Sequence, residues 1–167
     1  LSGGCQVSGG TIQVDGQSLW ALAPRKRREL CGTTLGFIPQ NPMTAFDPRL
    51  RLGRQMEETL RLRAGVSGKA ALERAETLLA DLGLSQPRRV LDSYPAQLSG
   101  GMLQRAAAAL LLALHPRYIL ADEPTSALDA ENRTLLLELL EQQRESTGIL
   151  FISHDVAALR TLCGTVY

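Results

Sequence analysis

The chain has 167 residues, 44% of them hydrophobic and 21% charged, with 18 Lys+Arg against 17 Asp+Glu for a formal charge of +1. Such a composition excludes a disordered chain, and the length predicts one domain with room for an inserted lobe. Near-neutral charge argues against a dedicated nucleic-acid binder. The longest apolar run, the nine residues from Ala106 to Leu114, is about half of the roughly 20 that a membrane-spanning helix needs, so a soluble protein is expected.

Three widely separated cysteines, Cys5, Cys31 and Cys163, form no CxxC pair. A reducing compartment and three ordinary buried or half-buried thiols are expected. The first residue is not Met, and Cys163 to Tyr167 read like the start of a strand. A fragment cut at both ends is the expectation.

In chain order, Thr11 to Gly16 alternates and closes in an Asp-Gly turn, which predicts a short strand. Pro24 opens a short basic helix through Leu30, and Thr34 to Ile38 is a second strand ended by Pro39-Gln40-Asn41-Pro42. From Arg49 to Gly83, apolar residues at Leu52, Met56 and Leu60, then at Leu72, Ala75, Leu78, Leu79 and Leu82, predict two amphipathic helices parted by Gly65 to Gly68. Gly83 marks the end of the second. A loop containing Pro87 and Pro95 reaches Leu98-Ser99-Gly100-Gly101, and a long apolar helix follows to about His115. Tyr118 to Ala121 and Ile149 to Ile152 read as strands buried on both faces, with a helix from Asn132 to Glu145 between them. This alternation implies a parallel sheet, interrupted by a helical insertion over residues 49–97.

Chemistry concentrates at strand ends. Asp122 and Glu123 follow a buried parallel strand directly, at the edge where open α/β sheets place ligands. Mg²⁺ leans on one or two carboxylates, its waters and substrate phosphates, so one acid can hold the metal while the next polarises water. The bland alternative is a solvated acidic turn before Pro124. Ser99, Gly100 and Gly101 precede a long helix, where backbone N–H groups and the helix dipole favour phosphate oxygens. Otherwise Ser99 is a plain helix cap. Ser99 lies 23 residues before Asp122, room for a helix of roughly 25 Å and a turn. His154 follows the last strand and Gln40 follows the second, so each places a hydrogen-bonding side chain at a sheet edge.

Taken together, the sequence resembles the nucleotide-binding subunit of ABC transporters. The matching pieces are Gln40, LSGGM at 98–102, YILADE at 118–123, SALD at 126–129 and His154. QNPMTAFDP at 40–48 and YPAQLSGGMLQR at 94–105 are similar to the group that imports peptides and nickel, with SGGMLQR closest to its nickel and metallophore branch. The resemblance implies a P-loop NTPase-like α/β fold. Its core would comprise residues 1–40 and 117–167, with a helical subdomain over about 41–116 that includes the signature helix, and part of an antiparallel β-subdomain.

It also implies ATP and Mg²⁺. Glu123 would be the general base, Asp122 and Gln40 would hold Mg²⁺ and its waters, and His154 and Gln40 would contact the γ-phosphate. Ser99, Gly100 and Gly101 would contact the ATP of an opposed subunit, with Asp129 crossing the same interface. Implied partners are a second ATPase subunit, a paralogue placed head to tail, membrane permease subunits and, indirectly, a substrate-capture protein, but no nucleic acid. The location would be peripheral, on the cytoplasmic face of the membrane, and the cargo a peptide, nickel or a metal chelate. A soluble ABC-type ATPase of DNA repair or translation is the alternative.

The phosphate cradle G-x-x-x-x-G-K-[ST] is absent from the 167 residues, so the chain alone is expected to be inactive. Gly68-Lys69 imitates it, with Arg63 and Ala70 where glycine and a hydroxyl belong, and Leu1-Ser2-Gly3-Gly4 imitates the signature without a following helix. The basic cluster Arg25 to Arg28 reads as a solvated helix face.

Overall fold

A computed structural model describes residues 9–166. Cys5 and the Leu1–Gly4 decoy lie outside them. The first strand is shorter than the sequence suggests. It is β1, Gln13–Val14, and it forms an antiparallel hairpin with β2, Gln17–Ser18. Asp15 and Gly16 both have positive φ (51° and 74°), the conformation a tight hairpin turn requires. The hairpin is tied to the sheet by Asp15, whose carboxylate accepts from Arg117 Nη1 (2.8 Å) and the Tyr118 hydroxyl (2.6 Å).

Helix α1 spans Pro24–Thr33 and buries none of its residues. Its basic cluster faces solvent except for Arg27, which lies half-buried over the Trp20 ring and donates to the Leu22 carbonyl. Strand β3, Leu35–Ile38, follows. Pro42–Ala45 forms a short 3-10 turn capped by Asn41, whose side chain accepts from the Met43 N–H.

The helical insertion contains α2, Leu52–Ala64, and α3, Gly68–Asp81. Leu52, Met56 and Leu60 are fully buried, as their four-residue spacing requires. On α3 the buried stripe is Ala71, Ala75 and Leu79, and Leu72 faces outward. Gly65 and Gly83 end the two helices in the left-handed conformation (φ 69° and 74°). The expected loop after Gly83 is partly helical. Pro87 opens α4, Pro87–Asp92, and Pro95 opens a 3-10 turn, Pro95–Gln97. Both prolines occupy first helical positions, where a fixed φ helps and the missing N–H costs nothing.

Helix α5, Gly100–Ala113, is buried along most of its surface. Its alanines allow close approach to α3 on one side and β3 on the other. At Gly36 of β3, a side chain would collide with Leu111. His115 ends the helix segment in the left-handed region (φ 46°) and is exposed. Strand β4, Tyr118–Asp122, then runs parallel to β3, and after α6, Ala130–Gln143, strand β5, Gly148–Ile152, runs parallel to β4. The order is β3-β4-β5. A last helix, α7, Val156–Leu162, is capped by Asp155, which accepts from the N–H groups of Ala157 and Ala158.

The sheet departs from expectation in its burial. Gly36, Ile38, Ile119, Ala121 and Phe151 share one covered face, and Leu136 and Leu140 of α6 join the same core. Residues one step away point to the other face, where Phe37 is 52%, Leu150 61% and Ile152 47% exposed. Strand β5 is therefore buried on one face and open on the other among the described residues. Cys31 and Cys163 are free thiols, with Cys31 exposed, unlike the buried or half-buried position expected for it. No described helix is long and apolar enough to cross a membrane.

Candidate functional site

Register brings the strand-end residues to one edge. Ile38 stands opposite Ala121, and Asp122 stands opposite Ile152. Gln40 and His154 each lie two residues past a strand end, so both emerge beside Asp122 and Glu123 at the carboxyl edge of three adjacent parallel strands.

Glu123 is held more tightly than a turn residue needs. Its backbone N–H donates to the Ile152 carbonyl (2.9 Å), extending the ladder by one step. Its φ is 46°, a conformation that costs a non-glycine residue of order 1–3 kcal/mol and persists only where surroundings impose it. They do so through the side chain. Oε1 accepts from the His154 N–H (2.8 Å), and Oε2 accepts from Ser153 Oγ (3.3 Å). Ser153 Oγ in turn accepts from the Asp155 N–H (3.0 Å). The carboxylate is 13% exposed, and the His154 imidazole is fully exposed with Nε2 3.7 Å from Oε1. Asp122 beside it is half-buried.

Asp155 is anchored by Arg133 (2.7 Å). That hydrogen bond, followed by those from the Ala158 and Ala157 N–H groups, holds its carboxyl below the usual range. The Ser-His-Asp loop is thus pinned at its Ser153 end through Glu123 and at its Asp155 end through Arg133 of α6 and the cap of α7.

The glycine turn forms a separate cluster. Ser99 caps α5, its Oγ accepting from the Met102 N–H (3.3 Å), so the hydroxyl already serves the helix as a cap. A side chain on Gly101 would approach the Ala127 carbonyl to 2.9 Å, which places this turn against the segment leading to Asp129. Asp129 caps α6 and accepts from the Asn132 N–H (2.9 Å) and from Asn132 Nδ2 at both carboxylate oxygens (2.8 Å each). Those bonds lower its pKa. A hollow of about 390 Å³ lies between Ser99, Gly100 and Asp129, and its lining contains none of Gln40, Asp122, Glu123 or His154. The predicted residues therefore fall into two groups, a strand-edge set and a signature set.

Three further residues were not legible as site elements in the sequence. Gln104 is fully buried and donates through Nε2 to the Pro39 carbonyl (3.3 Å), tying α5 to the residue before Gln40, while its Oε1 has no partner among the described residues. Ser153 supports Glu123. Arg105 bridges α5 to the end of α3 and to α6. A polar residue inside the apolar helix was the one available signal for Gln104. Gly68-Lys69, by contrast, opens α3, and Lys69 only pairs with Glu73 along the helix (3.4 Å).

No cluster of three His, Cys, Asp or Glu suited to a metal occurs among the described residues. The donor set, one half-buried acceptor-only carboxylate at Asp122 with Gln40 nearby, fits a cation that brings waters and phosphates as its other ligands.

Comparison with known proteins gives this geometry a family. A probable peptide ABC transporter ATP-binding protein of Sinorhizobium fredii is 38% identical over 160 residues, 95% of this chain and 48% of that protein. The dipeptide transport ATP-binding protein DppD of Escherichia coli is 38% identical over 148 residues, 87% of this chain and 45% of its own length. The chain thus spans about half the length of the curated relatives it matches. Among solved structures, a dimeric ATP-binding cassette in a post-hydrolysis state with ADP and Pi superposes with a TM-score of 0.81 at 28% identity, covering 92% of this chain and 66% of that one. With residues 1–126 matching the ABC transporter family as well, the chain belongs to that family and has the fold of its ATP-binding cassettes.

Proposed function

We propose that the chain is part of the ATP-binding and ATP-hydrolysing subunit of an ABC importer. The observation that carries this reading is the strand-edge set: three parallel strands deliver Gln40, Asp122 with Glu123, and His154 to one edge, with Glu123 locked in a left-handed backbone conformation.

In this reading Glu123 is the general base that orients or deprotonates the hydrolytic water. The N–H of His154 and the hydroxyl of Ser153 fix its two oxygens, so the carboxylate is pre-oriented before the water arrives. His154 presents an exposed ring to the γ-phosphate, and Gln40 presents its amide. Asp122 and Gln40 would hold Mg²⁺ through its water shell, and that ion supplies charge neutralisation on the phosphates when bound. Ser99, Gly100 and Gly101, with Asp129 beside them, contact the nucleotide of an opposed subunit. Their separation from the strand-edge set within one chain favours such a head-to-tail pair. Phosphoryl transfer then depends on positioning and charge stabilisation.

A groove of about 400 Å³ flanks the Gln40 loop, walled by Phe46, Leu110, Leu111 and Arg63. It joins the helical insertion, within the subdomain at about 41–116, to the core at 1–40 and 117–167. We assign it to a permease segment, and peripheral attachment at the cytoplasmic face follows. Cargo is a peptide by the names of the relatives, while SGGMLQR at 99–105 keeps nickel or a metal chelate as the finer alternative. Uptake assays with the cognate capture protein decide between them. Residues 1–167 by themselves should hydrolyse ATP negligibly, because no G-x-x-x-x-G-K-[ST] lies within them.

The test is turnover by the complete subunit. Glu123→Gln should lower kcat by about 10²-fold or more with ATP affinity retained. A variant hydrolysing ATP at the wild-type rate would show that Glu123 is not the base.

A further inference from the structure

Arg105 makes three hydrogen bonds to groups outside its own helix, yet the proposed chemistry does not call for it. Its Nε donates to the Gly101 carbonyl (3.2 Å), in the first turn of its own helix. Its Nη1 donates to the carbonyls of Leu82 (3.1 Å) and Gly83 (3.1 Å), at the end of α3, and to Asn132 Oδ1 (2.6 Å) on α6. Asn132 uses its remaining donors on both oxygens of Asp129. One continuous chain of polar contacts therefore runs from Gly101 through Arg105 and Asn132 to Asp129.

The surroundings are shaped around this chain. Gly83 has φ +74°, and a side chain there would stand 2.9 Å from Asn132 Oδ1 and 3.4 Å from Arg105 Nη1. Across the hollow, Gly101 lies against the Ala127 carbonyl. A planar guanidinium serves acceptors through Nε and Nη1 at once, which a lysine ammonium cannot reproduce. Burial is the main influence lowering the Arg105 pKa, opposed by the nearby Asp129 charge.

We propose that Arg105 and Asn132 form a strut that holds the signature turn Ser99–Gly101 and Asp129 at a set separation, so that both meet the opposed subunit's nucleotide as one unit. Both are positioning residues. Neither needs to touch the nucleotide. The inference rests on the nucleotide-facing reading of Ser99–Gly101 and Asp129, and its experiment separates the two.

Amide hydrogen exchange is measured on the complete protein without nucleotide, for wild type, Arg105→Lys and Asn132→Ala. Either change should speed exchange about tenfold both at residues 99–103 and at 127–133, with the amides of α2 unchanged. If Asn132→Ala loosens only 127–133 and leaves 99–103 at the wild-type rate, the strut is wrong. Should Arg105→Lys fail to fold, Asn132→Ala, which trims a half-exposed side chain, decides alone.

Steady-state ATP hydrolysis supplies the second readout. Both variants should lose about tenfold in kcat with KM for ATP within about twofold, because the nucleotide held by a subunit's own strand edge is untouched. Unchanged kcat together with loosened exchange would overturn the positioning role. A wild-type protein that hydrolyses no ATP would instead refute the functional reading, and the exchange result would still decide whether the strut exists.

Discussion

At the scale of single residues, Glu123, Asp129 and Asp155 are carboxylates whose oxygens are already engaged. Glu123 receives Ser153 Oγ and the His154 N–H, so removing either donor loosens this carboxylate without removing it. Ser153→Ala should cost about 1 kcal/mol of stability by leaving the Asp155 N–H and Glu123 Oε2 without that partner. Denaturant unfolding checks this, and an unchanged midpoint would mean that water replaces the hydroxyl at no cost. Asp47 gives a pH prediction. Its pKa is lowered from 3.8 to about 2, chiefly by the side-chain hydrogen bond from Arg49 and next by the Arg49 backbone N–H. A lowered folded-state value means the contact contributes fully above the ordinary carboxylate pKa and is lost as pH falls from about 4 towards 2. A carboxyl NMR titration should find the midpoint near 2, and a midpoint at the ordinary value would show that the pair does not persist in solution.

At the scale of elements, alternation along β5 separates what the core needs from what it does not. Phe151 is buried with Ala121 and Ile38 across the register, while Leu150 is mostly exposed on the other face. Phe151→Ala should therefore cost about 3–5 kcal/mol, and Leu150→Ser within about 0.5 kcal/mol. Equal losses from the two would mean that the open face is covered in solution. Period and punctuation made most elements readable in advance: Leu52, Met56 and Leu60 at four-residue steps, and Gly83 ending α3. What escaped has local causes. Pro87 and Pro95 mark loops and helix starts equally well, so α4 stayed hidden. Helix α7 has seven residues and depends on its Asp155 cap, and apolar runs such as Ile149 to Ile152 cannot reveal whether one face or two will be covered.

At the scale of the whole molecule, two groups of residues occupy different places on one scaffold. The order Gln40, Ser99–Gly101, Asp122–Glu123, Asp129, His154 was legible because each motif sits at an element boundary that glycine, proline or a change of periodicity marks. The supports were not. Arg105, Asn132, Gln104 and Ser153 act across sequence separations that no local pattern records, as with the Gln104 contact to Pro39. Two separated half-sites make closure of two subunits the central claim, and one measurement bears on it most directly: the mass in solution of the complete Glu123→Gln subunit, with its cognate ATPase partner, with and without ATP. Under the proposed function, such a variant keeps its phosphate contacts while losing the base. A stable two-subunit species that forms only with ATP is the predicted result. Subunits that remain separate with ATP bound would contradict it.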